Sequence, residues 1–274
     1  ATGALSGSAN SAGGLTGDNT GVLSNSYATG HVVGANYVGG LTGYSNNWIE
    51  NTYATGSVTA TGERVGGLVG HHGGSIHQSY ATGAVSSPGA LVGGLTGYSD
   101  DAWAADTSFW DVQRTGQASS GAGRPMNTAD FKVRDNFTSA TEANGNQDPG
   151  WNVSQTWTLY EGHTDPLLRV FMTPLHVTAG TVSKTYDGQA HSGSPNVTYS
   201  AMPDLSLLAG TVTLGGHASG ATQAGSYDVT PQGLYSGQHG YDISYGSGLL
   251  TIAPRNITIT VDSQQKILNA PDPQ

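Results

Sequence analysis

A ten-residue stretch is repeated three times in nearly the same letters: LSNSYATGHV at 23–32, IENTYATGSV at 49–58 and IHQSYATGAV at 76–85. Their tyrosines, Tyr27, Tyr53 and Tyr80, follow one another at intervals of 26 and 27 residues. A Gly-Gly-Leu block recurs with the same spacing, beginning at residues 13, 39, 66 and 93. A propeller blade needs about 40 residues, whereas a period in the twenties suits one coil of a solenoid. The repeat therefore predicts a β-solenoid with one copy in each coil.

Three short strands are expected in each coil: near the Gly-Gly-Leu block, near the Val/Ile-x-Asn/Gln-Ser/Thr block and in Tyr-Ala-Thr-Gly-x-Val. The residues predicted to point inward are Leu41, Ile49, Ala54 and Val58, followed one coil later by Leu68, Ile76, Ala81 and Val85. Stacked coils lie about 4.8 Å apart, and each coil must present the same surface to its neighbour. Two side-chain ladders are expected to result: Tyr27, Tyr53 and Tyr80, and Asn25, Asn51 and Gln78.

The repeat pattern ends near residue 107, so residues 1–107 are assigned to the solenoid. An open solenoid end exposes unpaired strand edges, and terminal coils therefore need an atypical cap. Residues 108–175 are interpreted as that cap and a linker, with Trp151, Trp157 and Tyr160 as apolar cover. The stretch NTADF, at 127–131, predicts a short helix with Thr128 as its N-cap.

A second module is predicted at residues 176–254, where apolar and polar residues alternate between glycine-rich turns. This pattern favours a small β-sandwich or a β-grasp-like module. In its KTYDGQ motif, Asp187 is expected to bond backbone N–H groups of a turn. Residues 255–274 read as the first strand of a following module, so we expect the chain to be a piece of a longer protein. The predicted fold class is all-β: a solenoid of about four coils with a C-terminal cap, then the small β module.

Charge and composition exclude several function classes. The chain has 9 Lys and Arg against 19 Asp and Glu, a net charge of −10 that provides no basic patch for nucleic acid. It contains no cysteine, which rules out disulfides and thiolate metal sites. No apolar run approaches the roughly 18 residues of a transmembrane helix.

The repeats resemble the GLUG-repeat family, whose units read Gly-Gly-Leu-x-Gly…Asn-Ser-Tyr-Ala-Thr-Gly-x-Val. SFWDVQRTGQASSGAG, at 108–123, resembles the segment that ends such arrays. KTYDGQ at 184–189 and GLYSGQHGYDISYGSGLLTI at 233–252 resemble YDG/MBG-type modules. Both kinds of module occur in large secreted exoproteins that resemble filamentous haemagglutinin, including biofilm-matrix adhesins of the CdrA kind.

This resemblance implies a function in adhesion. The expected protein is an extracellular or cell-surface segment of a Gram-negative exoprotein that promotes cell–cell aggregation and biofilm cohesion. Its implied partners are extracellular polysaccharide, neighbouring cells or other adhesin copies, and, for the full-length protein, an outer-membrane transporter of two-partner secretion. No membrane insertion is expected of this segment.

The alternative is a polysaccharide-active β-helix enzyme, a lyase or a hydrolase. Such an enzyme needs clustered carboxylates with a basic residue or a metal. Residues 1–112 hold one basic residue, Arg64, and their acids form no coherent acid–base constellation. We therefore expect no enzyme activity and assign no catalytic residue.

Two clusters deserve consideration as metal sites. Asp100, Asp101 and Asp106 could hold Ca²⁺ through carboxylate oxygens, or could simply form a solvated acidic loop. His71, His72 and His77 lie close in sequence, but nothing else nearby has ligand spacing, which favours exposed histidines in a turn. No metal or cofactor is assigned.

Aromatic residues after the Gly-Gly-Leu blocks are the best candidates for ligand binding. Their rings should face solvent, where they could stack on the faces of sugars, or else pack against a neighbouring loop. Polar neighbours would supply hydrogen bonds. The candidate glycan site comprises Tyr44, Trp48, Tyr98, Trp103, Asn46, Asn47, Asp100 and Asp101.

Overall fold

Four parallel sheets, named A to D, form the β-solenoid in the computed structural model, which describes residues 1–102, 104–191 and 196–271. Sheet A stacks the strands Leu5–Ser6, Val32–Gly34, Val58–Ala60 and Val85–Ser86. Sheet B stacks Ala12–Gly13, Val38–Gly39, Val65–Gly66 and Val92–Gly93. Sheet C stacks Thr16–Asn19, Thr42–Ser45, Val69–His72 and Thr96–Ser99. Sheet D contains Leu23–Ala28, Ile49–Ala54, Ile76–His77, Tyr80–Ala81, Phe109–Asp111 and Arg124–Met126.

Each coil thus contributes strands to four sheets, not to the three predicted. The additional corners occur where two glycines allow neighbouring coils to approach closely. A Cβ on Gly56 would lie 1.9 Å from the carbonyl oxygen of Gly30, and one on Gly40 would lie 2.2 Å from that of Gly67. A side chain at either position would push the coils apart, which explains why the repeat has glycine at these corners.

The interior of the solenoid is the one predicted from the repeat. All eight residues expected to point inward are buried. Equivalent residues of successive coils pair directly, as Ile49 pairs with Ile76 and Val58 with Val85. Leucine, isoleucine and alanine from successive coils form one cluster, and valines form another. The repeat is conserved along the chain because each inward side chain packs on its own counterpart.

The tyrosine ladder is also confirmed. Tyr27, Tyr53 and Tyr80 are in register, with ring centroids 4.9 Å and 5.0 Å apart. They alternate with inward-facing alanines on sheet D and therefore point out of the solenoid. The second predicted ladder is only partly realised. Asn51 accepts a hydrogen bond from Trp157 and Gln78 donates one to Gly150, so both side chains bond to the cap.

The cap covers the outer face of the tyrosine ladder. Phe131, Phe137, Trp151, Trp157 and Leu168 form one buried cluster with the ladder tyrosines and Phe109. Phe109 takes the ladder position after Tyr80, and its strand pairs in parallel with sheet D. The segment therefore extends the solenoid at its end before crossing its flank.

Short helices and one hairpin make up the remainder of the first unit. The α-helices are Val112–Thr115 and Asp135–Thr138, and the 3₁₀ helices are Asp130–Lys132, Glu142–Asn144, Arg169–Phe171 and Leu205–Leu207. Strands Trp157–Thr158 and Leu167–Leu168 pair antiparallel. Thr128 is not the predicted N-cap, because its hydroxyl donates to Asp111 and the 3₁₀ helix begins only at Asp130. Residues 205–209 and 235–242 also belong to this unit.

The second unit comprises residues 175–204, 210–234 and 243–274 and is built from two sheets. One sheet contains Thr173–Ala179, Val197–Tyr199 and Tyr241–Gly246. The other contains Val182–Thr185, Ala209–Gly215, Gly225–Tyr235 and Gly248–Ala253. Its core includes Ala179, Val229, Leu250 and Ile252. Residues 254–271 form no strand, and Ile257, Ile259 and Val261 are exposed there.

The predicted fold class is confirmed: the described chain is all-β with a few short helices, and its solenoid has about four coils. No helix in the described ranges combines the length and the apolar character needed to cross a membrane.

Candidate functional site

Four residues of sheet C point outward at equivalent positions of successive coils. Asp18, Tyr44, His71 and Tyr98 pair in direct register, and we call them the sheet C column. The His71 ring lies edge-on between the two tyrosines, with its centroid 5.2 Å from that of Tyr44 and 4.9 Å from that of Tyr98. The strand period places the next residues, Ser45 and His72, inside the solenoid.

A second column runs along the corner before sheet B. It consists of Ser11, Tyr37, Arg64 and Leu91, and we call it the corner column. Tyr37, Arg64 and Leu91 have φ values of 48°, 60° and 59°, the left-handed conformation. This backbone is uncommon for residues with large side chains. It recurs in three successive coils, whereas Ser11, the first member of the column, does not adopt it.

The two columns pack diagonally. Tyr37 stacks on His71 of the next coil, with centroids 5.8 Å apart and 21° between the planes. Arg64 likewise lies over Tyr98 of the next coil, with its Cζ 5.6 Å from the ring centroid. The same Cζ lies 4.9 Å from the ring centroid of Tyr37. Its guanidinium donates to the Tyr37 hydroxyl. These contacts form a continuous surface of rings with one cation in it.

Asp100 holds His71 in place within this surface. Its Oδ1 lies 3.2 Å from Nε2 of His71. The other ring nitrogen of His71, Nδ1, is buried and has no hydrogen-bond partner among the described residues. His71 was expected to be exposed in a turn, but it lies on a strand and is mostly covered by Tyr37, Tyr44 and Tyr98.

His72 also differs from the exposed histidine that was expected. The alternation of the strand directs its ring into the solenoid, where it is fully buried between Ser45 and Ser99. Neither ring nitrogen has a partner in the described part of the chain. Burial disfavours the charged imidazolium and lowers the pKa of His72 from 6.5 to about 4.

The predicted glycan residues are distributed over two turns of the same solenoid edge. Tyr44 and Tyr98 meet the same imidazole, which brings them into one surface. Asn46 is exposed, whereas Asn47 accepts from the backbone N–H of Trp48 and donates to the carbonyl of Thr20, so its amide is used to hold the turn. Asp101 is exposed on the later turn. Trp103 lies outside the described residues.

Among the aromatic rings of the predicted set that the structure describes, Trp48 is the most exposed, with 52% of its surface accessible. Its ring centroid lies 4.9 Å from that of His77, which is half-buried. His77 therefore supports one face of the indole, while the remaining surface of the ring faces solvent. An indole fixed in this way can bind a flat apolar surface at a small cost in side-chain entropy.

Tyr37, Arg64 and His71 were missed as site residues. His71 was detectable from the repeat alone, because it stands at the same repeat position as Tyr44 and Tyr98, in the coil between them. Tyr37 and Arg64 share the position before each Val-Gly pair, but nothing in the sequence indicates that this corner faces sheet C of the next coil.

The carboxylates considered for calcium have protein partners. Asp100 contacts His71, and Asp106 faces Arg124 at 3.7 Å. Within residues 1–102, 104–191 and 196–271, no three His, Asp or Glu side chains form a group that could hold a metal ion. In the second unit, Asp187 accepts from Lys184 Nζ and from the backbone N–H of Gln189, as expected for a turn. The hydrogen bond from Lys184 is the main cause of the lowered pKa of Asp187.

In a comparison with known families, the model of the GLUG motif matches residues 61–86. These residues contain the strands Val65–Gly66, Val69–His72, Ile76–His77, Tyr80–Ala81 and Val85–Ser86, which together make one coil. The motif is therefore a structural unit of the solenoid, and Arg64 and His71 lie within it. No curated protein matches the chain. No solved structure matches it either.

Proposed function

We propose that this chain is a structural and adhesive segment of a large secreted bacterial exoprotein, and that it binds exopolysaccharide along one edge of its solenoid. The match to the GLUG motif is consistent with an extracellular, adhesin-like repeat protein. The observation that carries the proposal is the ring surface formed by Tyr44, His71 and Tyr98 with Tyr37.

Aromatic surfaces suit sugars because a pyranose ring has an apolar face and a polar rim. Tyrosine rings provide a flat apolar contact with a hydroxyl at one end. Tyr44 and Tyr98 stand two coils apart, about 10 Å at about 4.8 Å per coil, which is roughly the length of a disaccharide. A disaccharide that begins on the Tyr44 ring would therefore end near the Arg64 guanidinium, which covers Tyr98. Asn46 and Asp100 on the adjoining turns would meet the sugar hydroxyls. The surface is shallow and continuous, as expected for binding one stretch of a long polymer.

The cellular role proposed for this binding is cohesion of the biofilm matrix. A solenoid extends a repeated surface along an axis, so each coil can add contacts to the same polymer chain. Several weak contacts on one chain combine into strong attachment. Neighbouring cells and other copies of the protein are the proposed partners, and an outer-membrane transporter would export the full-length protein.

A panel of neutral, cationic and anionic polysaccharides tests the proposal. We expect the immobilised chain to bind at least one of them without releasing reducing ends on prolonged incubation. If no polysaccharide binds at millimolar sugar concentrations, the adhesive function is not in this segment. If reducing ends accumulate, the chain is instead a polysaccharide-active enzyme.

A further inference from the structure

A recess of about 380 Å³ lies at the beginning of the ring surface, lined by Asn10, Ser11, Asp18, Tyr37, Tyr44 and His71. The diagonal packing of the two columns explains why it exists. Tyr37 of the corner column covers His71, and Arg64 covers Tyr98. The preceding member of the corner column is Ser11, whose side chain is too short to cover Tyr44.

The next coils show which groups fit this position. In the next coil, the ring of Tyr37 lies over His71, and in the coil after that, the guanidinium of Arg64 lies over Tyr98. Only the second of these covers a tyrosine, the same kind of ring that Tyr44 offers. A cation over the face of a tyrosine is attracted by the ring electrons. The repeat therefore indicates that a positively charged group fits over Tyr44.

Asp18 strengthens the case for a cation. It precedes Tyr44 in the sheet C column, and its Oδ1 accepts a hydrogen bond from the Ser11 hydroxyl at 2.6 Å. Asp18 also lines the recess and is exposed, so its carboxylate forms one wall that a ligand can reach. Arg64 is the basic residue of the two columns nearest to Asp18. It is paired with Glu63 at 3.2 Å and lies over Tyr37 and Tyr98 instead of Tyr44.

We propose that this recess binds the protonated amine of an amino sugar, with the sugar ring on Tyr44 and the ammonium group at Asp18. The inference rests on the proposed glycan binding and specifies its substrate class. The aromatic walls suit a sugar ring better than a bare metal ion, which needs several oxygen ligands. The net charge of −10 would attract a polymer carrying many such amines.

Two oligosaccharides with the same sugar backbone test the proposal: the hexamer of β-1,4-linked glucosamine, which carries free amines, and its fully N-acetylated counterpart, in which each amine is a neutral amide. Titration calorimetry is performed with the whole chain in a slightly acidic buffer of physiological ionic strength, in which the free amines are protonated. We expect the free-amine hexamer to bind about tenfold more tightly, the combined effect of one cation–π contact and one charge-assisted hydrogen bond to a carboxylate.

Three variants locate the site. Asp18→Asn and Tyr44→Ala should each weaken binding of the free-amine hexamer about five- to tenfold. Ser11→Arg should abolish this binding, because the new guanidinium would cover Tyr44 as Arg64 covers Tyr98. Asp262→Asn is the matched control: it removes the same charge from an exposed position in residues 254–271 and should leave the affinity unchanged. Circular dichroism spectra of all variants should match that of the parent chain.

The outcomes separate this inference from the proposed function. Equal affinity for both hexamers, or binding of other polysaccharides but of neither hexamer, overturns the amine site and leaves glycan binding standing. Binding that is unchanged in Asp18→Asn and Tyr44→Ala shows unspecific attraction of a polycation and also overturns the site. If the whole polysaccharide panel fails to bind, both proposals are wrong.

Discussion

Tyr53 stacks on Tyr80 with ring centroids 5.0 Å apart and 6° between the ring planes. Both rings also pack against Trp157, at 6.3 Å and 6.0 Å. The repeat and the non-repetitive cap thus meet in one aromatic cluster on the outer face of sheet D. Coil stacking and cap docking are coupled because the same rings serve both.

Replacement of Tyr80 should therefore destabilise the first unit strongly. Tyr80→Ala removes a fully buried ring that contacts Tyr53, Phe131 and Trp151, and should lower the free energy of unfolding by about 3–5 kcal/mol. Tyr80→Phe is the matched control, since it removes only the hydroxyl that donates to the carbonyl of Pro166 at 2.7 Å; its cost should be about 1 kcal/mol. Urea denaturation measures both, and similar effects of the two variants would contradict the role of the ring.

A charge inside the stack of leucines should unfold the solenoid. Leu68 is fully buried, and Leu68→Asp would place a carboxylate in a dry interior without a partner. Leu15 occupies the same position of the first Gly-Gly-Leu block but is 42% exposed, so Leu15→Asp should have little effect. Thermal melts followed by circular dichroism distinguish the two, and an unchanged melt of Leu68→Asp would show that the assigned register is wrong.

Removal of the cap should make the solenoid aggregate. A chain limited to residues 1–107 loses the strand that pairs with Tyr80–Ala81 and the aromatic cover of the tyrosine ladder. An unpaired strand edge beside exposed tyrosines favours association between molecules. Size-exclusion chromatography with light scattering should show large species, and a monodisperse product would count against the assignment of the cap.

Acid should destabilise the solenoid through His72. Its pKa is about 4 in the folded chain, lowered from 6.5, so the folded state binds fewer protons than the unfolded state between these pH values. The stability contributed by neutral His72 is present above pH 6.5 and is lost as the pH falls toward 4, by about 3 kcal/mol in total.

Two histidine variants test the origin of this pH dependence. His72→Ser replaces the buried imidazole with the residue that the neighbouring coils have at this position. The loss of stability between pH 7 and pH 4 should then be about 3 kcal/mol smaller than in the parent chain. His31→Ser alters an exposed histidine and should keep the full dependence. Urea titrations at several pH values provide the measurement, and a steep acid loss that persists in His72→Ser would assign it to other groups.

The exposed indole of Trp48 should contribute to glycan binding without contributing to the fold. Trp48→Ala should weaken the affinity for a bound polysaccharide about three- to tenfold, the range of one lost aromatic contact. Its melting temperature should stay close to that of the parent chain. Neutral or cationic glycans should be preferred at low salt, since the net charge of −10 repels polyanions. Full affinity of Trp48→Ala, or binding of polyanions alone, would remove Trp48 from the site.

The candidate site could be predicted only in part. Tyr44 and Tyr98 were identifiable because their repeat position faces solvent, and the structure places them in one column. The contacts of this column with Tyr37 and Arg64 were not predictable, because the period does not give the angle between sheets B and C. The same limit applies to His71, which its neighbours bury although its repeat position faces outward.

The sequence by itself determined the coil, the register and the interior. Each coil packs on a copy of itself, so Ile49 must meet Ile76 and Tyr53 must meet Tyr80 wherever the period holds. Only the tertiary structure decided that the cap lies on the tyrosine ladder and that Ser11 leaves Tyr44 uncovered. These contacts join residues with no shared period, such as Trp157 and Asn51, and depend on how non-repetitive side chains fill the surface that the repeat creates.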